Sequence, residues 1–520
     1  MTLRLPACLP LLLALLAGTT PAQTLETAEG PVSVRVQTTQ TLHTILPRLF
    51  GTNLQWEHGG DGILQNGDPR RIDPVVINAI KEAGISVIRF PGGDLSNTYR
   101  WRYGTGRHEQ RPKGKSYGGS EVASLFGSDE LLRLTEKTGQ EALITVNTNA
   151  GEAEAADWVD YLNGDSRNAG GRQRIANGFS SPLRVRYWEI GNELYSPHQP
   201  GHQSAAAYAA TVRRFAATMK ARDPSIRIGA NLEASFIQAP WMPKVLPHLV
   251  GWNETVLREA GKEMDFVILH FYAPHDTLWN DSKLRGHVLA GPEVFSRTLQ
   301  QILTLIREHG RPDTEVVVSE YGTAFAEKLV LSRRIASTEG ALFSASLLFA
   351  MMREPRITVA NHWSLLNNSR FGMLEHDGPV LRPRPIYDVY KLLKPWHGGH
   401  FLTITLTGPT YAVTGLGSVP NMPKVALVDA QAVREADGRL SVALLNRSDC
   451  KTLPTQLVFE NLPAGAWQAT RTVLSAKPAA EQWRHDPHPA KALAGNALTL
   501  ELPPHSLTLV RLHATEKARP

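Results

Sequence analysis

Two glutamates close apolar strands in the same way, and a pair of carboxylates is what the cleavage of a glycosidic bond requires. The run Val185-Arg186-Tyr187-Trp188-Glu189-Ile190 is rich in β-branched and aromatic residues, reads as a buried strand, and breaks at Gly191 into Asn192-Glu193. Glu315-Val316-Val317-Val318-Ser319 reads alike and ends at Glu320, followed by Tyr321-Gly322. Retaining hydrolysis uses one carboxylic acid to protonate the leaving oxygen and one carboxylate, about 5 Å away, as nucleophile. A strand-end Glu taken alone is more often a solvated acid or a helix cap. Trp188 and Ile190 demand burial around Glu193, however, and three valines demand it before Glu320. Asn192 adds an amide able to grip a sugar hydroxyl.

The elements that must position these acids form a repeating strand-then-helix rhythm. Leu49 to Trp56 is the first strand, ending near Glu57; Ile85 to Phe90 ends in Pro91-Gly92-Gly93-Asp94; Ala142 to Val146 ends in Asn147. After Arg184 to Ile190 come Ile226 to Asn231, Asp265 to Leu269 leading into His270-Phe271-Tyr272, Val316 to Ser319, and Ile357 to Trp363. Apolar residues at spacings of three and four mark the helices between them, for example Ala205, Tyr208, Ala209, Val212, Phe215, Ala216 and Met219. Pro292 is read as opening the helix that carries Phe295, Leu299, Ile302, Leu303 and Ile306. Eight such units predict a (β/α)8 TIM barrel, with Glu193 on strand four and Glu320 on strand seven. In that fold the site lies at the strands' carboxyl ends, where Glu57, Asp94, Asn147, Asn192, Glu193, His270, Tyr272, Glu320 and Trp363 all fall. The Gly92-Gly93 pair lacks the lysine of a phosphate loop and is expected to make a tight turn under the sugar.

Past Pro395 the texture changes to short strands, with Asp437-Gly438 as a hairpin turn and Pro503-Pro504 as a break, which predicts a C-terminal all-β sandwich. The strand Val32 to Gln37 has no helix after it and is expected to pair into that sandwich. The expected division is a signal peptide over 1–22, an N-terminal strand segment over 23–47, the catalytic barrel over 48–395, the sandwich over 396–515 and a frayed tail over 516–520. The signal rests on Arg4, the apolar run Leu11 to Ala17 and Thr20-Pro21-Ala22 before Gln23, and it implies a secreted or periplasmic protein. Cys8 precedes the apolar run, the wrong side for lipid attachment. With the leader removed Cys450 alone remains, so stability must come from the core and not from disulfides.

The net charge of +6 is scattered, without a basic block, which argues against nucleic acid or membrane as partner and leaves a carbohydrate substrate. His270 and His275 complete no regular zinc spacing, so no metal and no cofactor is expected. His270 and Tyr272 are read as an imidazole and a phenol beside the nucleophile, against the bland reading of hydrogen-bonded rim residues.

Arg89-Phe90-Pro91-Gly92-Gly93, then Tyr99-Arg100-Trp101, Gly104 to Gly106 and Arg111-Pro112 resemble the second-strand segment of glycoside hydrolase family 51, the α-L-arabinofuranosidases. The stretches through Thr145-Val146-Asn147 and Ala156 to Tyr161 to Trp188-Glu189-Ile190-Gly191-Asn192-Glu193 continue that resemblance, over about residues 48 to 325 and more loosely the sandwich. It implies Glu193 as acid/base, Glu320 as nucleophile, Asn192 and Glu57 as sugar-hydroxyl contacts, and Tyr272 as the nucleophile's neighbour. The chain departs from the family at Asp94, where Asn is usual, at Ser319-Glu320-Tyr321, where Asp-Glu-Trp is usual, and at Ala360-Asn361-His362-Trp363. The implied activity is retaining release of α-L-arabinofuranosyl residues, and exo action on terminal residues is expected from the inserted loops. Long inserted loops such as Tyr99 to Ser128 and Pro197 to Gln203 would close one end of the cleft. Xylosidases, galactofuranosidases and glucuronidases of the same barrel clan share the two glutamates and stay open as alternatives, as does a sugar-binding barrel without turnover. Two positioned carboxylates argue against the latter, and a lyase would need a base cluster that the sequence does not show.

Overall fold

The computed structural model describes residues 30–276, 284–327, 330–367, 369–377 and 380–515. Eight parallel strands, β1 (Gly51–Asn53), β2 (Val87–Phe90), β3 (Glu141–Val146), β4 (Tyr187–Ile190), β5 (Arg227–Leu232), β6 (Phe266–Asp276), β7 (Glu315–Glu327) and β8 (Ile357–His362), pair in sequence order. β8 returns to β1 and the ring is closed. The barrel holds its own inner core of Val87, Leu143, Tyr187, Phe266, Ile268, Val317 and Val359, as a filled barrel must. The other buried apolar residues of the strands belong to one large core shared with the helices.

The helices begin and end where local chemistry dictates. Pro74–Ala83 starts with Asp73, whose carboxylate accepts from the Val75 N–H, has Pro at its first turn and stops at Gly84 with φ +69°. Thr338–Met352 is buried along its whole length and apolar on every side, because it runs between the barrel and the β domain. One helix differs from expectation. It spans Leu284–His309, so Pro292 lies inside it and does not open it. Proline removes one N–H from a helix but does not forbid helix on both sides, and the apolar face before it is long enough to continue the element.

The β domain is a nine-stranded sheet whose two ends share one hydrophobic core. The strand Val32–Thr44 belongs to it, antiparallel to His400–Thr407 and parallel to Leu453–Glu460. The edge strand Arg484–Ala492 is polar, exposed and carries two prolines, the composition that tolerates an unpaired edge and that hides a strand from sequence reading. Cys450 is exposed. No helix among the described residues is long and apolar enough to cross a membrane. The leader segment 1–22 and the tail 516–520 lie outside the described residues.

Candidate active site

The carboxyl ends of the strands converge on a buried cation. Arg89, fully buried on β2, donates Nε to Glu189 Oε2 at 2.6 Å, Nη1 to Glu320 Oε1 at 2.6 Å and to Asn53 Oδ1 at 3.1 Å, and Nη2 to Asn192 Oδ1 at 2.8 Å. A charge taken out of water must be paired, and this guanidinium is paired on every side. Burial alone would lower its pKa, but the Glu189 and Glu320 carboxylates overcome that and raise it, so it stays a cation. Glu189 also accepts from Thr145 Oγ1 at 2.7 Å.

Glu320 sits past an irregularity in the β6–β7 ladder between Val318 and Glu320, which brings it opposite His270. Such a bulge re-aims a side chain without ending the strand. Its Oε2 accepts from the Tyr272 hydroxyl at 2.8 Å while Oε1 takes Arg89, so both oxygens are held. Burial first, then the Glu320 charge, pushes Tyr272 well above its ordinary value, and the phenol keeps its proton. The backbone of Gly93 lies against the same carboxylate: a Cβ there would come within 2.9 Å of Glu320 Oε1 and 3.0 Å of the Trp363 ring. The close approach, under Glu320 and Trp363, accounts for the glycine.

Glu193 is half-buried and adopts φ +47°, outside the strand it follows. His270 Nδ1 donates to its Oε1 at 2.8 Å, and Nε2 of the same ring meets Ser319 Oγ at 3.0 Å. One oxygen of Glu193, one of Glu320 and a ring nitrogen of His270 lie within 4.8 Å of one another. Burial would raise the Glu193 carboxyl, but the hydrogen bond and charge of His270 outweigh it and hold it low. Burial would lower His270, and the Glu320 and Glu193 carboxylates outweigh that and raise it. The pair thus shares one proton.

A third carboxylate flanks Glu193. Asp94 accepts from Gln199 Nε2 and, at 3.4 Å, from Asn192 Nδ2, and it comes within 4.8 Å of a Glu193 oxygen and a His198 ring nitrogen. Burial, then Glu193, pushes it up to about 6. Gln199 is held in turn by Asn97, which also brackets the Asn192 backbone at 2.8 and 3.0 Å. Asp94, Glu193 and His198, and Glu193, His270 and Glu320, are the groups among the described residues compact enough to hold a cation. Both are drawn from the acids of the cleft itself.

Glu57 follows the first barrel strand and is buried, which raises its carboxyl, at the head of a turn in which His58, Gly59, Gly60 and Asp61 all have φ between +51° and +70°. The left-handed conformation is free for the two glycines but costly at His58 and Asp61. The turn is held by the Gln55 N–H on Asp61 Oδ2 at 3.0 Å and by the Asn367 amide on the Asp61 carbonyl. Asn147 stands apart from the two acids' hydrogen-bond network: its amide donates to the Tyr99 carbonyl at 3.1 Å and its oxygen accepts from the Asn149 N–H at 2.9 Å.

Arg89, Glu189, Gln199 and Asn97 were not among the expected site residues. The signal for the first two was legible, since a charge in the middle of an apolar strand must find a partner. Of the departures from the family pattern, Tyr321 turns outward, its hydroxyl 2.8 Å from that of Tyr390, and Asn361 donates to the Thr52 carbonyl at 3.0 Å.

Residues 79–285 match the profile of the alpha-L-arabinofuranosidase 1 domain, and residues 319–506 that of the alpha-L-arabinofuranosidase C-terminal domain. A relative from Aspergillus terreus, named probable alpha-L-arabinofuranosidase C, is 34% identical over 82% of this chain and 87% of its own. A relative from Streptomyces lividans, named intracellular exo-alpha-(1->5)-L-arabinofuranosidase, is 27% identical over 91% of this chain and 74% of its own. The crystal structure of a GH51 arabinofuranosidase from Xanthomonas axonopodis pv. citri superposes with a TM-score of 0.80 at 23% identity, covering 93% of this chain and 100% of that one. The expectation of a secreted or periplasmic protein is corrected here. Besides the Streptomyces relative, one from Bifidobacterium longum and one from Bacteroides ovatus are also named intracellular. An apolar run records hydrophobicity, not destination, and Leu11 to Ala17 lies outside the described residues. With two matching domain profiles and a relative similar over most of both lengths, the chain belongs to the α-L-arabinofuranosidase family of glycoside hydrolases.

Proposed function

We propose that this protein is a retaining exo-glycosidase that releases terminal α-L-arabinofuranosyl residues, with Glu320 as nucleophile and Glu193 as acid/base. The observation that carries the reading is the carboxylate spacing, with oxygens of the two acids within 4.8 Å. That leaves room for a sugar carbon between them and none for the additional water of an inverting enzyme. Glu320, ionised beside Arg89, attacks the anomeric carbon. The proton shared by Glu193 and His270 goes through Glu193 to the leaving oxygen as the glycosidic bond breaks. The product is an ester between Glu320 and the sugar. Its formation neutralises Glu320, and Glu193, having given up the proton, is left ionised as a base. Glu193 then takes a proton from water, whose oxygen displaces Glu320 and restores the original configuration.

Glu57, Asp94, Asn192 and Trp363 surround the glycone in this reading, and Tyr272 orients the nucleophile. Exo action is supported by the name of the Streptomyces relative and by the Tyr117 hydroxyl, which donates to the His198 carbonyl at 2.8 Å and ties together the two loops expected to close the cleft. Glu193→Ala and Glu320→Ala should each lower turnover of an aryl α-L-arabinofuranoside by orders of magnitude, about 10³-fold or more. Azide should restore product release in both, with retained configuration for Glu193→Ala and inverted for Glu320→Ala. Undiminished turnover in either variant removes the assignment.

A further inference from the structure

His270 meets the acid/base through one ring nitrogen and the residue before the nucleophile through the other. Nδ1 lies 2.8 Å from Glu193 Oε1, and Nε2 lies 3.0 Å from Ser319 Oγ. Ser319 is fully buried and is the extra residue of the bulge. Val318 pairs with Leu269 and Glu320 with His270, which leaves Ser319 without a partner on β6. Its backbone is fixed from behind: the Asn53 amide donates to the Ser319 carbonyl at 2.9 Å, and the oxygen of the same Asn53 side chain accepts from Arg89 Nη1 at 3.1 Å. The bulge therefore aims two groups at once, the Glu320 carboxylate at Arg89 and Tyr272, and the Ser319 hydroxyl at the far nitrogen of the imidazole.

The charged groups that act on His270 are Glu193 after β4, Glu320 on β7, whose Oε1 is 3.8 Å from Nδ1, and Arg89 on β2. Two carboxylates against one guanidinium favour the charged ring, and a charged ring donates from both nitrogens. Ser319 accepts the Nε2–H without adding charge. Which ring nitrogen keeps its proton is set by the hydrogen bond the other makes, so with Nε2–H held by the hydroxyl it is Nδ1 that exchanges a proton with Glu193. A carboxylate in the same place would be a third acid on one imidazole, and it would hold the ring as a cation and withhold the proton from Glu193.

Resting on the retaining reading above, we propose that Ser319 is a positioning residue for the acid/base: by accepting the Nε2–H of His270 it directs the exchangeable proton to Nδ1, from which it passes to Glu193 and then to the leaving oxygen. Position 319 then moves the alkaline limb of kcat/KM in both directions. The test measures that limb on methyl α-L-arabinofuranoside, whose alkoxide cannot leave without the proton. Ser319→Ala removes a hydrogen bond to the charged ring, and the limb should move down by about half a unit. Ser319→Asp adds a carboxylate beside that ring, and the limb should move up by about one unit. A residue that only fills space can lower the rate but does not send the limb opposite ways in two variants. A limb that stays in place in Ser319→Ala, or shifts the same way in both variants, would overturn the proposal; if Ser319→Asp does not fold, the Ser319→Ala limb alone decides. Failure of the unaltered enzyme to cleave the glycoside would instead overturn the glycosidase reading on which the proposal rests.

Discussion

The two acids of this cleft are the same residue in opposite surroundings. Glu320 has both oxygens occupied by donors, Arg89 and Tyr272, and is itself buried. Glu193 has His270 on one oxygen and two further carboxylates, Asp94 and Glu233, acting on it or on its neighbours. Donors fix a charge, whereas nearby acids and an imidazole keep a proton in play. The difference teaches that role here is set by what surrounds a carboxylate and not by the carboxylate, the pattern by which one barrel supplies both a nucleophile and an acid.

The comparison breaks most severely at Arg89. Arg89→Met strips one oxygen of Glu320 of its cation and strands Glu189 in the interior. We expect kcat/KM to fall about 10³-fold and unfolding free energy to fall by about 3–5 kcal/mol. Denaturant titration beside steady-state kinetics checks both, and a variant with wild-type turnover would mean that Glu320 needs no such anchor.

His270→Asn sharpens the other side. The Glu320 and Glu193 carboxylates raise the imidazole, so the proton needed for glycosylation is present below that raised pKa and is lost as pH climbs through it. Without the ring, Glu193 must hold the proton alone. The alkaline limb of kcat/KM should move to lower pH by about one unit or more. An unmoved limb would detach His270 from the proton.

The smallest effect belongs to Asp94. Above about pH 6 it is ionised and helps Glu193 and His270 keep their proton. Asp94→Asn removes that charge, and removing a negative neighbour lowers a pKa. The alkaline limb should move down by about half a unit, less than for His270→Asn. An unmoved limb would mean that Asp94 acts through the sugar alone.

Much of this was legible in the chain because strand chemistry is local. The β-branched runs, the Gly after Ile190 and the acids that follow them mark the barrel strands, since each signal lies within a few residues of what it specifies. The Arg89–Glu320 contact joins residues 231 apart, and no local pattern encodes it. The same holds for the bulge that turns Glu320 toward His270, which depends on β6 lying alongside. The left-handed turn after Glu57 escaped notice because His58 and Asp61 adopt positive φ only under the clasp supplied by Gln55 and Asn367. Pro292 misled for the converse reason: its local preference for a helix start was overridden by a face that packs on both sides of it.

If Glu320 is the nucleophile, it becomes covalently bonded to the sugar while Glu193 does not. Incubation with an arabinofuranoside that carries fluorine at C2 and a good leaving group, followed by peptide mass mapping, tests it directly. One added fluorosugar is expected, on the peptide containing Glu320, in the unaltered enzyme and none in Glu320→Ala. A label on the peptide containing Glu193, or product of inverted configuration from an enzyme that never becomes labelled, would contradict it.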